Sequence, residues 1–248
     1  MMATNRSWLR PLKPNPQARL RLFCFPHAGA GALSFRPWAD LFPPEIELCP
    51  VQLPGRDDRF RETPYTDVRL LVEELSRTLY PYELSRPFAF LGHSMGAIVA
   101  FELAHLLRER YGLAPLNLFA SARIAPQQVN PMPPIYSLPD EQFVAQLKML
   151  NGTPDELLVE PEWLRLLRAD LELNEAYRFA PREPLDTPIS AFGGQDDPRV
   201  RPGDLEQWRE QTQGRFNLRL FEGDHFFLFA NRHEVAHAIL LELNRSMY

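Results

Sequence analysis

Apolar and polar positions change period several times along the chain, and each change marks an element. From Arg19, the residues Leu20, Leu22, Phe23, Cys24 and Phe25 form an apolar run that reads as a buried strand, stopped at Pro26. A small-residue loop follows, Pro26-His27-Ala28-Gly29-Ala30-Gly31-Ala32. A short helix is then expected around Phe35 to Leu41, and a strand from Glu45 to Val51 ended by Pro54-Gly55. Between Asp67 and Leu79, Val68, Leu71, Val72, Leu75 and Leu79 repeat at helical spacing, one face of an amphipathic helix. Phe88 to Leu91 is a short apolar strand, Ala97 to Tyr111 a helix, and Leu116 to Ala120 another strand.

The rhythm then breaks. From about Ala125 to Ala180 only helical patterns occur, such as Phe143, Val144, Leu147, Leu150 and Leu164, Leu167, Leu171. Prolines frame the stretch (Pro131, Pro133 and Pro134; Pro181 and Pro184), and it is too short to be a second domain. It is expected to be a helical insertion, 125–180, within a single domain spanning 1–248. Alternation resumes with a strand at Ile189 to Gly193, a helix at Asp204 to Thr212, a strand at Leu218 to Phe221, and a last helix through Val235, Ile239 and Leu243. Alternating strands and helices predict an α/β fold with a mostly parallel, helix-flanked sheet. Residues 1–18, polar and broken by proline, are expected to form a loosely held arm.

Composition narrows the functional classes. With 248 residues, 45% of them hydrophobic, the chain can bury one sizeable core. A formal net charge of −5 argues against a general nucleic-acid binder. No apolar run reaches the ~18 residues of a membrane span, and Arg6 and Arg10 are not followed by a secretory signal. The two cysteines, Cys24 and Cys49, sit in apolar strands, which suggests buried thiols and a cytoplasmic location.

The strongest chemical signal is Gly92-His93-Ser94-Met95-Gly96, between a predicted strand and a predicted helix. This is the nucleophile elbow of the α/β-hydrolase fold, a turn that lifts the serine hydroxyl clear of the sheet. Side chains at Gly92 and Gly96 would collide with neighbouring elements. Ser94 needs a base, and only His225 among the six histidines follows a strand within a short loop. His27, His93 and His105 read as packing residues. The triad acid is expected after the preceding strand, where Asp196 and Asp197 compete; the spacing Gly194, Asp197, Val200 favours Asp197. Asp224, beside His225, reads as a solvated loop residue. The backbone N–H groups of Met95 and Ala28 are the expected oxyanion hole. His233-Glu234-Val235-Ala236-His237 matches a zinc-protease pattern, but Glu242 would have to share the same rod, a poor tetrahedral cage. No metal or cofactor is expected.

Four segments together resemble the type II thioesterases, the stand-alone partners of nonribosomal peptide and polyketide synthases. They are Phe25-Pro26-His27-Ala28-Gly29, Gln52-Leu53-Pro54-Gly55-Arg56, the serine elbow, and Gly223-Asp224-His225-Phe226-Phe227. The resemblance runs from about Arg19 to the C-terminus. It implies hydrolysis of acyl thioesters on the phosphopantetheine arm of a carrier protein, with the helical insertion as a lid over the acyl chain. Arg56, Arg59 and Arg61 could face an acidic carrier protein, although a solvated charge run explains them more simply. The rival readings are an oxygen-ester hydrolase of the carboxylesterase or lipase kind, a general acyl-CoA thioesterase, and a non-catalytic binding protein on the same fold.

Overall fold

The computed structural model describes residues 8–81, 83–150 and 157–247. Six strands form one sheet: β1 (Leu20–Phe25), β2 (Ile46–Pro50), β3 (Phe88–His93), β4 (Leu118–Ser121), β5 (Ile189–Gly194) and β6 (Phe216–Phe221). Their order is β2-β1-β3-β4-β5-β6, and every pairing is parallel. The fold is that of the α/β hydrolases.

The period-2 alternation of the strands explains how helices cover both faces. Phe23, Phe25, Phe88, Phe90, Leu118, Ala120, Ile189 and Ala191 point to one side. There they meet α1 (Val68–Leu79) and α2 (Met95–Tyr111). Leu20, Leu22, Cys24, Ala89, Leu91, Phe119 and Phe192 point to the other, against α7 (Arg232–Met247). The apolar face expected for α1 is buried at all five positions, and Asp67 caps its start by accepting from the Arg69 N–H at 2.7 Å. Helix α2 is buried through most of its length, which accounts for its apolar residues lying all round rather than in one stripe.

Segment 125–180 contributes no strand among the described residues. It holds α3 (Asp140–Leu150), a 3-10 turn at Leu157–Val159 and α4 (Pro161–Glu175); its residues 151–156 lie outside the described residues. Ile135, Phe143, Leu147, Leu158 and Leu167 bury one another in a satellite cluster that also touches Ala28. After β5 come the short α5 (Pro202–Glu206) and a 3-10 turn, where one helix was expected, and α6 (Phe227–Ala230) precedes α7.

Two expectations are corrected. The expected loose arm is tied down from residue 8 onward, residues 1–7 lying outside the described residues. Trp8 and Leu9 are buried, Leu9 bridges Val51 in antiparallel sense, and the Arg10 and Leu12 amides donate to the Pro50 and Leu48 carbonyls at 2.9 and 3.2 Å. Strand β2 is at the sheet edge with unpaired backbone groups, and this segment covers them. The second correction concerns the arginines. Arg61 is exposed, but Arg56 and Arg59 are buried, so they are not a solvated run. Arg59 donates to the Gln52 carbonyl at 2.8 Å, pairs with Glu62 and stacks over Trp8; Arg56 pairs with Asp170. Each guanidinium is buried because fixed acceptors are waiting for it.

No helix among the described residues is long and apolar enough to cross a membrane. Cys24 and Cys49 are free and buried, and burial raises both thiol pKa values.

Candidate active site

The chain runs from β1 out to β2, then crosses back to β3 on the other side of β1. The loops leaving β1 and β3 therefore part in opposite directions and open a crevice at the carboxyl ends of the strands, the usual ligand position in such sheets. Ser94 stands at one lip of it and Ala28 at the other.

Ser94 has φ 55° and ψ −116°, a conformation that L-residues rarely adopt. Its N–H donates to the Ser121 carbonyl at 2.7 Å, which ties the turn to β4. The two flanking glycines make this approach possible. A Cβ on Gly92 would lie 2.2 Å from the Gly96 carbonyl oxygen, and one on Gly96 would lie 2.1 Å from that of Phe25. The turn thus needs bare backbone on both sides of the serine.

His225 reaches Ser94 from the loop after β6. Its Nε2 lies 3.0 Å from Ser94 Oγ, and its Nδ1 lies 2.7 Å from Asp197 Oδ2. A carboxylate only accepts, so the Nδ1 proton faces Asp197 and the Nε2 lone pair faces the serine hydroxyl. The second Asp197 oxygen accepts from the Arg199 N–H at 2.8 Å. Asp197 is buried, whereas Asp196 is exposed, and the carboxylate that meets His225 Nδ1 is that of Asp197. Asp224 is exposed and caps its own loop by accepting from the Phe226 N–H at 2.8 Å. Chemically, the serine–histidine–aspartate arrangement can pass a proton from Ser94 to His225 while Asp197 holds the ring.

Two further histidines pack beside this one. His93 Nδ1 lies 2.9 Å from Ser121 Oγ, and its ring centre is 5.5 Å from that of His225. His27 packs edge-on against His93, Phe226 and Phe229. Burial, aided by the nearby His225, pushes His27 down to about 3 and His93 well below the ordinary histidine range. Both rings are neutral neighbours. His233 and His237 lie on the exposed face of α7 and do not line the cavity that holds Ser94, while Glu242 is buried on its other side and paired with Arg215 and Arg245. That placement does not bring the three zinc-pattern residues together.

Met95 is the first residue of α2, so its N–H has no partner within the helix. Ala28 and Ser94 line the same cavity, of about 240 Å³, between the sheet end and segment 125–180. Its walls are largely apolar (Leu147, Trp163, Leu167, Leu171), but Arg123 and Glu175 give it a polar end. Burial lowers Arg123 to about 10 and raises the Glu175 carboxyl, which accepts from the Ile135 and Tyr136 amides at 2.9 and 3.1 Å.

The sequence reading missed Asp170, whose carboxylate meets both Arg56 and the Gly29 amide. A signal existed: Asp170 interrupts the apolar stripe of Leu164, Leu167 and Leu171, and a charge facing inward on a helix needs a buried partner.

The thioesterase domain model matches residues 20–242. The chain is 44% identical over 232 residues to the gramicidin S biosynthesis protein GrsT of Aneurinibacillus migulanus, covering 92% of this chain and 90% of that protein. Among solved structures it resembles the type II thioesterase BorB from the borrelidin biosynthetic cluster. The TM-score is 0.85 at 36% identity, over 96% of this chain and 97% of the other. It also resembles YbtT, a type II thioesterase from the yersiniabactin NRPS/PKS pathway, with a TM-score of 0.87 at 28% identity, over 97% and 100% of the two chains. The chain belongs to the thioesterase domain family: it is a thioester hydrolase of the type II kind found in nonribosomal peptide and polyketide biosynthesis.

Proposed function

We propose that Ser94, His225 and Asp197 form a catalytic triad that removes acyl groups from the phosphopantetheine arm of a carrier protein. The observation that carries this reading is the pair of contacts at His225, 3.0 Å to Ser94 Oγ and 2.7 Å to Asp197 Oδ2. Ser94 Oγ attacks the thioester carbonyl carbon as its proton passes to His225 Nε2. The carbonyl oxygen becomes an oxyanion, held by the N–H groups of Ala28 and Met95 at the start of α2, where the helix dipole favours negative charge. Collapse breaks the C–S bond, and the pantetheine sulfur leaves with the proton from His225. Water then gives a proton to the same Nε2 and attacks the acyl-enzyme, releasing the acid and restoring the Ser94 hydroxyl.

Segment 125–180 serves as the lid of the acyl chamber, and the arm enters between it and the sheet. The chamber of about 240 Å³ suits a short acyl group rather than a full-length product, which fits removal of stalled or wrongly loaded units. Two free, buried thiols fit work in a reducing cytoplasm, beside the synthase.

Two experiments test this reading. A fluorophosphonate should label the native enzyme at Ser94 alone, and Ser94→Ala should fold normally with hydrolysis reduced to background; labelling elsewhere, or an active alanine variant, would remove Ser94 from the mechanism. Acetyl and butyryl groups should be released from a loaded carrier protein with higher kcat/KM than from coenzyme A, because protein contacts at the mouth help place the thioester. Equal or better turnover of the coenzyme A substrates would instead assign a general acyl-thioester hydrolase.

A further inference from the structure

The loop from His27 to Ala30 is pinned at three points. The Ala30 N–H donates to the His27 carbonyl at 3.1 Å, the Ala30 carbonyl accepts from Arg56 Nη1 at 2.9 Å, and the Gly29 N–H donates to Asp170 Oδ2 at 2.7 Å. Arg56 and Asp170 also grip each other with a two-pronged ion pair, Nη1 to Oδ2 at 2.9 Å and Nη2 to Oδ1 at 2.8 Å. The remaining Arg56 donors turn to the Pro54 carbonyl at 3.3 Å. The two side chains are only 4% and 2% exposed. Three separate segments therefore meet here: the loop after β1, the Gln52–Arg56 loop, and helix α4 of segment 125–180.

A buried ion pair is a poor device for stability alone, since desolvating both ions roughly cancels their attraction and an apolar pair would serve as well. What such a pair can do better than an apolar one is fix directions. Holding the Gly29 amide and the Ala30 carbonyl leaves Ala28, the next residue back, little freedom. Of the amides of Ala28, Gly29 and Ala30, that of Ala28 has no acceptor among the described residues, and it borders the cavity beside Ser94. A carboxylate this close would by itself oppose a developing oxyanion. Arg56 neutralises it in place, so both partners are needed.

We infer that Arg56 and Asp170 are positioning residues that aim the Ala28 N–H at the oxyanion. The inference rests on the reading of Ala28 as an oxyanion donor. Because Asp170 belongs to α4, the loop is fully organised only while α4 is seated, so the element that roofs the chamber also completes the site beneath it.

The test is the double variant Arg56→Met with Asp170→Leu, which removes the charges together and fills their space. It should melt within a few degrees of the native enzyme yet lose at least about tenfold in kcat, with KM changed less than about threefold, as expected when an oxyanion donor is misaimed. A trifluoromethyl ketone that forms a tetrahedral adduct on Ser94 should lose affinity by a similar factor, since it shares the transition state's oxyanion. Asp170→Asn, which keeps an oxygen for the Gly29 amide, should give a smaller kcat loss in the same direction and serves if the double variant does not fold. A folded variant with kcat within about twofold of native, or a loss confined to KM, would overturn the assignment. Fluorophosphonate labelling of the native Ser94 separates the two claims. Failure to label refutes the triad reading itself, whereas a labelled native enzyme with an undamaged double variant refutes only the positioning pair.

Discussion

Asp196 and Asp197 are adjacent carboxylates with opposite surroundings, and the difference decides which one can act on His225. Asp197 is buried, with one oxygen on the imidazole and the other on the Arg199 amide; Asp196 is exposed to water. A neutral amide at 197 could still hold the ring, but it would favour the wrong tautomer and give an imidazolium no counter-charge. Asp197→Asn is therefore expected to cut kcat by about a thousandfold or more. Asp196→Asn should leave it within about twofold, as surface substitutions generally do. Single-turnover rates on one acyl-pantetheine substrate would check the order, and the reverse order would make Asp196 the acid. The spacing Gly194, Asp197, Val200 pointed to the same residue from sequence. Nothing in the sequence showed that Arg56 would be buried, because its partner lies 114 positions away on a helix whose docking no local pattern specifies.

At the scale of elements, the same substitution should have opposite effects at two glycines. Gly112 ends α2 with φ 63°, and its N–H closes the helix onto the Arg108 and Leu107 carbonyls. A Cβ there would meet nothing within 4 Å, so the cost of Gly112→Ala is conformational alone, about 1 kcal/mol of lost stability. Gly203 lies inside α5, also with open space around it. Gly203→Ala should gain about 0.5–1 kcal/mol, because alanine is the better helix former and narrows the unfolded ensemble. Urea unfolding midpoints compared at equal slope would read both signs, and a stabilised Gly112→Ala would disprove the left-handed cap. Long periodic elements such as α1 and α2 were legible along the chain. The short ones were not: α5 with its 3-10 turn reads as one helix from 204 to 212, and the single turn of α6 has no period to detect.

For the molecule as a whole, the buried histidines set the acid limit of stability. His27 and His105 are each lowered to about 3, and His93 falls well below 6.5, in every case chiefly through burial. Unfolded, these side chains take up protons below about pH 6.5; folded, they do not. The unfolded chain then binds more protons, so stability is full above that pH and falls as the pH drops, by about 1.4 kcal/mol per unit for each such histidine. The carboxyls of Glu62, Asp67 and Glu73, held low by arginine partners or hydrogen bonds, add their losses only further down. Glu175, raised by burial, works in the opposite direction in its own range. The melting temperature should be flat between about pH 7 and 8, fall steeply between pH 6.5 and 5, and fall again in alkali, where the unfolded chain's Cys24 and Cys49 thiols ionise and the buried ones do not. His105→Leu, remote from the site, should flatten that fall; an unchanged slope would mean His105 titrates normally in the folded state.

The local physics of the chain determined the order of elements, the parallel sheet, and the turn that exposes Ser94, since period, glycine spacing and turn chemistry act between near neighbours. Tertiary structure decided what depends on distant segments meeting. It selected the buried carboxylate of an adjacent pair and tied the residues from Trp8 onward along the edge of β2. It also drew Arg56 out of an apparent surface charge run into the interior. There Asp170, arriving on α4, gave its charge the buried partner that no stretch of neighbouring sequence could supply.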